Sequence, residues 1–330
     1  MRVISVNVNG IRAAHRKNFF VWLQKQNADI VCIQETKAQV DQLAEEILKP
    51  KRYYGYFNDA VKKGYSGVGI YTRNKPDKII DKIGWKGADD EGRFLQANFD
   101  KLSVISLYLP SGSSSEERQA IKFNFLDRFI PVLKKIRRQK KEYIICGDWN
   151  IVHKEIDIKN WSSNQKTSGC LPKERAWLDK LIDEQGWVDA FRVLNQEPDQ
   201  YTWWSNRGQA YAKNVGWRID YQMVTPSLKD KIKSVSVYKE QKFSDHAPRA
   251  VMKNNESSED SRTSHVLEEI SSAYGDFDNS TCPSCEEYFP SYETGDSMCV
   301  LCIQCAACCL RSPKCPEQIT IADTFTSVHC

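Results

Sequence analysis

The first 252 residues of this 330-residue chain predict a layered domain of the α/β or α+β class. Residues 3–8 alternate apolar with polar side chains, as half-buried strands do, and residues 29–33 form the apolar run of a buried strand. Residues 116–138 have the apolar spacing of a long amphipathic helix. Because each half of the segment runs strands, helix, strands, the order indicates two packed β-sheets.

The remaining elements follow in order, with turn-like gaps between them. The predicted strands cover residues 3–8, 29–33, 53–57, 67–72, 78–83, 94–99, 103–108, 142–146, 202–204, 217–224 and 234–238. The predicted helices cover residues 19–23, 40–48, 116–138 and 173–184. We expect the second helix to end before Pro50, because proline cannot continue a helix. The longest helix should bury a stripe made of Ile121, Phe125, Leu126, Phe129, Leu133 and Ile136.

Charge and cysteine divide the chain after Met252. The segment beyond it has four basic and thirteen acidic residues, a charge of −9, which leaves +13 on residues 1–252 out of the net +4. Nine of the twelve cysteines lie in the second segment, and all nine tryptophans lie in the first. The basic surplus favours a polyanionic partner, although surface lysines that only keep the protein in solution would account for part of it.

The sequence predicts an intracellular protein without a membrane partner. No apolar run approaches the roughly 18 residues that a membrane span requires. The chain opens without the basic and apolar stretches of a secretory signal. Three scattered cysteines in residues 1–252 favour a reducing compartment. We therefore expect a cytoplasmic monomer, or a nuclear one in a eukaryote.

Polar side chains stand where several predicted strands end. They are Asn7, Glu35, Tyr108, Asp148 with Asn150, Asp220, and the pair Asp245–His246. Carboxylates, amides and one histidine in such places are the usual parts of a metal-dependent hydrolytic site. A hard cation such as Mg²⁺ takes oxygen ligands and keeps several waters, so one or two carboxylates are enough to bind it. Residues 1–252 contain no cysteine–histidine cluster with zinc spacing and no GxxxxGKS/T or GxGxxG phosphate loop.

Each of these residues also has an ordinary structural role. Asn7 could form a turn, and Glu35 could favour the start of a helix. Asp220 is different, because a carboxylate between Ile219 and Tyr221 needs a partner, and His246 is the natural one. The ordered set of motifs, rather than any single residue, therefore carries the functional prediction.

Eight short motifs occur in order between Met1 and Met252. They are Val6-Asn7-Val8-Asn9-Gly10-Ile11-Arg12, Gln34-Glu35-Thr36-Lys37, Gly64-Tyr65-Ser66-Gly67-Val68-Gly69, Glu91-Gly92-Arg93, Tyr108-Leu109-Pro110, Gly147-Asp148-Trp149-Asn150, Gly216-Trp217-Arg218-Ile219-Asp220-Tyr221 and Ser244-Asp245-His246-Ala247-Pro248. This series resembles the motifs of the exonuclease III and abasic-site endonuclease family, within the metal-dependent endonuclease–exonuclease–phosphatase superfamily. The resemblance implies a four-layered α/β sandwich, with two β-sheets packed face to face and helices outside. It also implies a DNA repair phosphodiesterase.

The resemblance further implies roles for the strand-end residues. Glu35 would be the principal ligand of Mg²⁺ or Mn²⁺. The full set of implied metal-site residues is Glu35, Asn7, Asp245, Asp148, Asn150 and His246. Asp148 would orient or deprotonate the attacking water, and His246, held by Asp220, would contact the scissile phosphate. Asn150 and Tyr108 would hydrogen-bond the same phosphate. These roles suit the reaction, because a dianionic transition state needs cations and donors aimed at its oxygens.

Other residues are implied in substrate choice. Trp203, Trp217 and Ile219 match positions that line the pocket for a flipped-out abasic sugar, although aromatic residues in strands are also common in cores. Flanking phosphates would be contacted by Arg12, Lys37, Arg93, Lys213, Asn214 and Arg218. The expected partner is double-stranded DNA with abasic sites, cut 5′ to the lesion, or with 3′ ends. The small residues at 111–115 replace bulkier side chains of some relatives, so the balance among endonuclease, exonuclease and 3′-phosphatase activities stays open.

Two other functions stay open. A relative within the superfamily could act on phospholipids or inositol phosphates. A binding module without catalysis is the second alternative, but such a protein should have lost one of the residues Glu35, Asp148, Asp220 and His246, and all four are present.

The segment beyond Met252 predicts an acidic polar linker, residues 253–281, and a cysteine-rich extension, residues 282–330. Two CxxC pairs separated by 13 residues approximate a zinc knuckle, with the ligands Cys282, Cys285, Cys299 and Cys302. A second set, Cys299, Cys302 and Cys305 followed by Cys315-Pro316, is similar to the cysteines of cluster-binding ferredoxins, except in the fourth spacing. A disordered or misplaced extension is the third alternative. The family resemblance does not cover this segment.

Overall fold

The computed structural model describes residues 1–254. The predicted linker from residue 255 onward and the cysteine-rich extension, with its four candidate zinc ligands, lie outside the described residues.

Twelve strands form two six-stranded mixed sheets within residues 1–254. Sheet 1 contains β1 (Arg2–Asn7), β2 (Ile30–Gln34), β3 (Tyr54–Asn58), β4 (Val68–Thr72), β11 (Ile232–Val237) and β12 (Arg249–Lys253), in the order β11-β12-β1-β2-β4-β3. Sheet 2 contains β5 (Lys78–Ile80), β6 (Phe94–Phe99), β7 (Leu102–Tyr108), β8 (Glu142–Asp148), β9 (Val188–Asp189) and β10 (Asp220–Val224), in the order β5-β6-β7-β8-β10-β9.

Helices cover the outer faces of both sheets. They are α1 (Ile11–Arg16), α2 (Phe19–Lys25), α3 (Glu45–Leu48), α4 (Lys86–Asp89), α5 (Glu116–Arg137) and α6 (Pro172–Asp179); a seventh helix, α7 (Ala190–Leu194), packs instead with the core between the sheets. None of the helices in the described part is long and apolar enough to cross a membrane.

Alternation along the strands separates three apolar layers. Cys32 of β2 and Cys146 of β8 belong to the core between the sheets. The adjacent residues, Ile33 and Ile145, lie outside this core, because successive strand residues point to opposite sides of a sheet. Ile33 packs with α2 on the outside of sheet 1, and Ile145 packs with α5 on the outside of sheet 2. The four-layered α/β sandwich with two packed sheets is therefore confirmed.

Two parallel strand pairs place the polar residues at one edge. In sheet 1, β1 runs parallel to β2, and Asn7 stands beside Gln34, the residue before Glu35. In sheet 2, β7 runs parallel to β8, and Tyr108 stands beside Asp148. The antiparallel β10 begins opposite the same carboxylate, with Asp220 beside Asp148. The carboxyl ends of β1, β2, β7 and β8 and the amino end of β10 therefore gather the predicted residues.

Several predicted elements differ from the structure. The helix expected at 40–48 is a 3₁₀ turn (Val40–Gln42) followed by α3, because Leu43 and Ala44 take extended backbone angles between them. The strand expected at 202–204 makes only isolated bridges from Trp203 to Trp217 and His246. The helix expected at 173–184 is α-helical only as α6, and its last residues, Lys180–Glu184, form a π-helical turn. The short strand β12 was not predicted, yet it pairs with both β1 and β11.

Candidate active site

A buried histidine lies between two carboxylates at the edge of sheet 2. The Nδ1 atom of His246 lies 3.0 Å from Oδ2 of Asp220, and its Nε2 atom lies 3.8 Å from Oδ2 of Asp148. Burial alone would lower the pKa of His246, but Asp220, Asp148 and Asp245 raise it to about 10. The imidazole is therefore held in its charged form, with both nitrogens as donors.

Asp148 stands at the centre of the site and is almost fully buried. Its Oδ2 atom accepts a hydrogen bond from the amide of Asn7 (2.9 Å), and its Oδ1 atom accepts one from the backbone N–H of Asn150 (2.9 Å). Burial raises the pKa of Asp148 to about 7, Asp220 and Glu35 add to the rise, and His246 opposes it. A carboxylate with such a pKa can take up a proton near neutral pH.

Glu35 follows β2 and is more open to solvent than Asp148. Its Oε2 atom lies 2.8 Å from the Lys37 ammonium, and its Oε1 atom accepts a hydrogen bond from the hydroxyl of Tyr108. Burial and the neighbouring Glu35 carboxylate raise the pKa of Tyr108 well above its ordinary value. The phenol is therefore a donor at physiological pH.

Asp245 connects the carboxylate edge to an aromatic pair. Its Oδ1 atom accepts a hydrogen bond from the amide of Asn9 (2.7 Å), and its Oδ2 atom accepts one from Nε1 of Trp203 (3.1 Å). Burial would raise the pKa of Asp245, but His246 and these two donors lower it. Asp245 therefore stays ionised.

The backbone at the site has an unusual conformation. Asn9 (φ 43°), Glu35 (φ 54°), Lys37 (φ 49°) and Asn150 (φ 52°) all lie in the left-handed region. Side chains other than glycine disfavour that region, and such strain clusters at functional sites because the surrounding structure must hold it. These four residues are held by the hydrogen bonds of the Asp148 and Asp245 carboxylates, by the ion pair of Glu35 and by backbone contacts between the loops.

The predicted aromatic pocket residues lie together. The rings of Trp203 and Trp217 meet edge to face at 5.8 Å, and both are partly exposed. Ile219 is buried in the apolar cluster beneath them, with Val152 and Ile158. Because Trp203 also donates to Asp245, the aromatic pair borders the carboxylate edge directly.

The predicted phosphate contacts divide into exposed and buried residues. Arg12 and Lys37 border an open cavity of about 330 Å³ that Arg16, which was not predicted, also lines. Lys213 is exposed. Asn214 uses its amide internally, since it accepts from Nε1 of Trp204 (3.1 Å) and donates to the carbonyl of Asp199 (3.1 Å).

Burial contradicts the role predicted for Arg93 and Arg218. Arg93 is 1% exposed, its Nε atom pairs with Glu91 at 2.5 Å, and its Nη1 atom donates to the carbonyl of Tyr108 at 3.0 Å. Arg218 is 0% exposed and pairs with Asp157 and Asp189, each at 2.7 Å. Neither guanidinium is free to contact a DNA phosphate. Both hold loops near the site instead.

The donor set fits a divalent cation. Asp148, Asp220 and His246 bring ligand atoms within 4.8 Å of one another, and this group could hold a metal ion. Glu35 and Asp245 add two ionisable oxygen donors at the same edge, and no cysteine joins the site among the described residues. Oxygen-rich sites of this kind suit hard cations.

A two-sheet sandwich with these carboxylates, a charged histidine and a tyrosine at one edge defines a metal-dependent phosphoester hydrolase. The profile of the Endonuclease/Exonuclease/phosphatase family matches residues 4–246, and the chain belongs to this family. It is similar to an exodeoxyribonuclease of Bacillus subtilis (strain 168), with 39% identity over 250 residues that cover 75% of this chain and 97% of the relative.

Two further relatives support the same assignment. A DNA-(apurinic or apyrimidinic site) endonuclease of Dictyostelium discoideum is 35% identical over 256 residues, which cover 76% of this chain and 70% of that protein. The solved structure of an AP endonuclease from Archaeoglobus fulgidus superposes with a TM-score of 0.71 and 26% identity, over 77% of this chain and all of that one. The predicted family and the predicted nuclease chemistry are confirmed, and the chain is a divalent-metal-dependent nuclease.

Sequence reasoning missed several residues at this edge. Asn9 follows Asn7 by two positions in the first motif and could have been found there as a second polar residue after β1. Lys122 lies fully buried on α5, in line with the apolar stripe, and donates to the carbonyl of Asn150 at 2.7 Å. A lysine at a stripe position is a signal that the sequence does contain. No sequence signal identifies the buried Arg249.

Proposed function

We propose that residues 1–252 form the catalytic domain of a DNA repair phosphodiesterase that incises double-stranded DNA 5′ to an abasic site and leaves a 3′-hydroxyl. The same site would remove nucleotides and blocking groups from 3′ ends, because these reactions share one phosphorus chemistry. The observation that carries the proposal is the contact of Trp203 with both Asp245 and Trp217, which sets an aromatic pair beside the catalytic carboxylates.

The cation that we propose is Mg²⁺ or Mn²⁺, held chiefly by Glu35 with Asp245 and Asn7 nearby. Such an ion supplies charge that stabilises the phosphorane-like transition state and lowers the pKa of bound water. We assign Asp148, Asp220 and His246 to the attacking water and the phosphate instead, because Asp220 already engages Nδ1 of His246 at 3.0 Å.

The residues of the chain have separate tasks in the proposed reaction. Asp148 accepts a proton from the water that attacks phosphorus, as its raised pKa allows. The charged imidazole of His246 donates to a phosphate oxygen, and Asp220 keeps that ring oriented. Asn150 and the phenol of Tyr108 supply further donors. The bond from phosphorus to the 3′ oxygen then breaks.

Substrate selection rests on the aromatic pair and the basic surface. A deoxyribose without its base is small enough to lie against Trp203 and Trp217 with Ile219 beneath them, and unstacking costs least at a damaged site. Arg12, Lys37 and Lys213 would bind flanking phosphates, which adds affinity without reading sequence. Arg16 extends this basic surface beside Arg12.

The test is incision of a duplex with a single tetrahydrofuran site in the presence of Mg²⁺. We expect cleavage 5′ to the site, with loss of activity in EDTA and in the variants Glu35→Ala and Asp148→Ala. Wild-type rates in either variant would contradict the proposal. Inositol phosphate and phospholipid substrates run in parallel test the alternative within the superfamily, and preferential turnover of either would replace DNA as the substrate.

The proposal extends to the whole chain. Its DNA substrate places the protein inside the cell, in the cytoplasm or in a nucleus, and we propose that it acts as a monomer. Cys282, Cys285, Cys299 and Cys302 are proposed to bind one structural zinc ion. Native mass spectrometry after anaerobic purification should detect one zinc ion per chain, and a metal-free mass would contradict that part.

A further inference from the structure

One fully buried ion pair lies directly behind the candidate active site. The ammonium of Lys122 on α5 lies 2.6 Å from Oε1 of Glu174 on α6, and both side chains are 0% exposed. Every other described residue that α5 buries is apolar. Burial lowers the pKa of Lys122, while Glu174 and, more weakly, Asp148 oppose the change. The pair therefore carries a desolvation cost at a position where an apolar side chain would fit the helix pattern.

Apart from one bond that the Gln119 side chain donates to Oε1 of Glu174 at 3.1 Å, both partners bind backbone groups near the site. Lys122 donates to the carbonyl oxygen of Asn150 at 2.7 Å. The Oε2 atom of Glu174 accepts the backbone N–H of Gly169 at 2.6 Å and that of Leu171 at 3.0 Å. Two segments, one at Asn150 and the other at Gly169–Leu171, are thus tied to one buried pair.

The two segments are functional surfaces of the site. Asn150 has φ 52°, and its backbone N–H donates to Oδ1 of Asp148. Gly169 has φ 93° and lies against the pocket, since a Cβ atom there would come within 3.0 Å of the Trp217 ring and 3.1 Å of the Asn150 carbonyl. A shift of the Asn150 carbonyl would therefore move a phosphate donor, a hydrogen bond to Asp148 and the wall behind Trp217.

We propose that Lys122 and Glu174 are positioning residues that hold Asn150 and the Gly169 loop in the geometry that catalysis needs. Stability alone does not account for the pair, because replacing a buried ion pair by apolar residues is often neutral or stabilising. Instead, the pair binds the backbone of the site at Asn150, Gly169 and Leu171. The inference rests on the proposed function for the role of Asn150, while the geometry of the pair is independent of the substrate.

A double-mutant cycle between Lys122→Met and Asn150→Ala tests this role in the full-length chain. Single-turnover cleavage and DNA affinity are measured separately, on a tetrahydrofuran duplex and on an undamaged duplex with a recessed 3′ end. We expect Lys122→Met to lower the single-turnover rate by about 10–100-fold with little change in Kd, because small misplacements of catalytic groups have effects of this size. In the Asn150→Ala background the same substitution should lower the rate by a smaller factor, since the part of its effect that acts through the Asn150 side chain is already lost and coupled residues are not additive.

A matched control and a second variant keep the test decisive. Lys253→Met removes a lysine that pairs with Glu142 at 3.3 Å, far from the site, and should leave the rate unchanged. If Lys122→Met does not fold, the double variant Lys122→Met/Glu174→Gln removes both charges and should show the same loss of rate. If Lys122→Met lowers the rate by the same factor in the wild-type and Asn150→Ala backgrounds, the positioning role is overturned. A loss that is confined to the folded fraction or to Kd overturns it as well. A wild-type chain that cleaves 3′ ends but not the tetrahydrofuran duplex would refute the abasic-site proposal alone.

Discussion

Arg218 and Asp220 are two positions apart in the chain, yet they belong to two buried charged clusters that differ in charge balance. The site cluster consists of Asp148, Asp220 and His246, and the ion-pair cluster consists of Asp157, Asp189, Arg192 and Arg218. In the ion-pair cluster two guanidinium groups face two carboxylates. In the site cluster two carboxylates share one imidazolium.

The difference shows how burial of charge can serve two purposes. Burial would raise the pKa of Asp157, but Arg218 and Arg192 lower it to about 2, so that carboxylate does not titrate near neutrality. For Asp148, burial raises the pKa, His246 offsets only part of the rise, and Asp220 and Glu35 add to it, so the pKa reaches about 7. In the ion-pair cluster every carboxylate has a guanidinium partner, so the loss of one partner is costly, whereas the unbalanced site cluster keeps groups ready to accept or donate protons.

The largest effect is expected from Asp220→Asn in the site cluster. The amide is nearly isosteric but cannot hold the His246 imidazole in its charged form, so single-turnover incision should fall by about 10³-fold. The imidazole can then lose its proton, so no charge is left unpaired and stability should change less than in a variant that leaves a buried carboxylate without its partner. A wild-type rate of incision in this variant would contradict the catalytic role of the site cluster. Chemical unfolding of the same preparation controls for the fold.

Arg218→Met should have the opposite effect. It leaves Asp157 and Asp189 without one of their partners in a buried setting, which should lower the free energy of unfolding by about 3–5 kcal/mol. Incision per folded molecule at low temperature should stay close to the wild-type value. A variant as stable as the wild type with weakened DNA binding would restore Arg218 as a phosphate contact.

Acid should weaken the ion-pair cluster in a defined pH window. An unfolded aspartate titrates near 3.9, and the folded pKa of Asp157 is about 2. The stabilisation is therefore complete above about pH 4 and is lost as pH falls through the folded value, a change of about 2–3 kcal/mol. Urea unfolding between pH 6 and pH 2.5 should show a steeper decline for the wild type than for Asp157→Asn. Identical slopes would contradict the lowered pKa.

The smallest effect is expected from Arg12→Ala. Arg12 is exposed, so its loss should weaken DNA binding a few-fold and reduce the slope of log affinity against log salt by about one. Arg218→Met, measured in the same titration, should leave the slope unchanged. Equal slopes for Arg12→Ala and the wild type would remove Arg12 from the DNA surface.

The sequence identified the site because several of its residues stand at or just after the ends of strands. Glu35 and Asp148 stand just after or at the end of parallel strands, and this pattern can be found without coordinates. Arg218 and Asp220 occupy alternate positions of one motif, and both side chains are buried. The motif could not show that the arginine meets Asp157 and Asp189, which come from distant segments. Burial and long-range pairing were the missing information.

The same limit explains the other differences. Trp203 was assigned to a strand from its aromatic neighbours, but its backbone makes only isolated bridges, because Trp217 and His246 approach it from loops. Lys122 was overlooked because an amphipathic pattern does not show which backbone carbonyl lies opposite the helix. Such contacts depend on how the layers pack, and no local spacing encodes them.

One paired measurement tests the central claim that the site cluster carries the chemistry and the ion-pair cluster carries stability. Asp148→Asn and Asp157→Asn make the same chemical change in the two clusters. On a tetrahydrofuran duplex with Mg²⁺, Asp148→Asn should lose about 10³-fold in single-turnover incision and remain stable, while Asp157→Asn should lose stability and keep its rate per folded molecule. Wild-type incision by Asp148→Asn, or an equal loss in fully folded Asp157→Asn, would contradict the account.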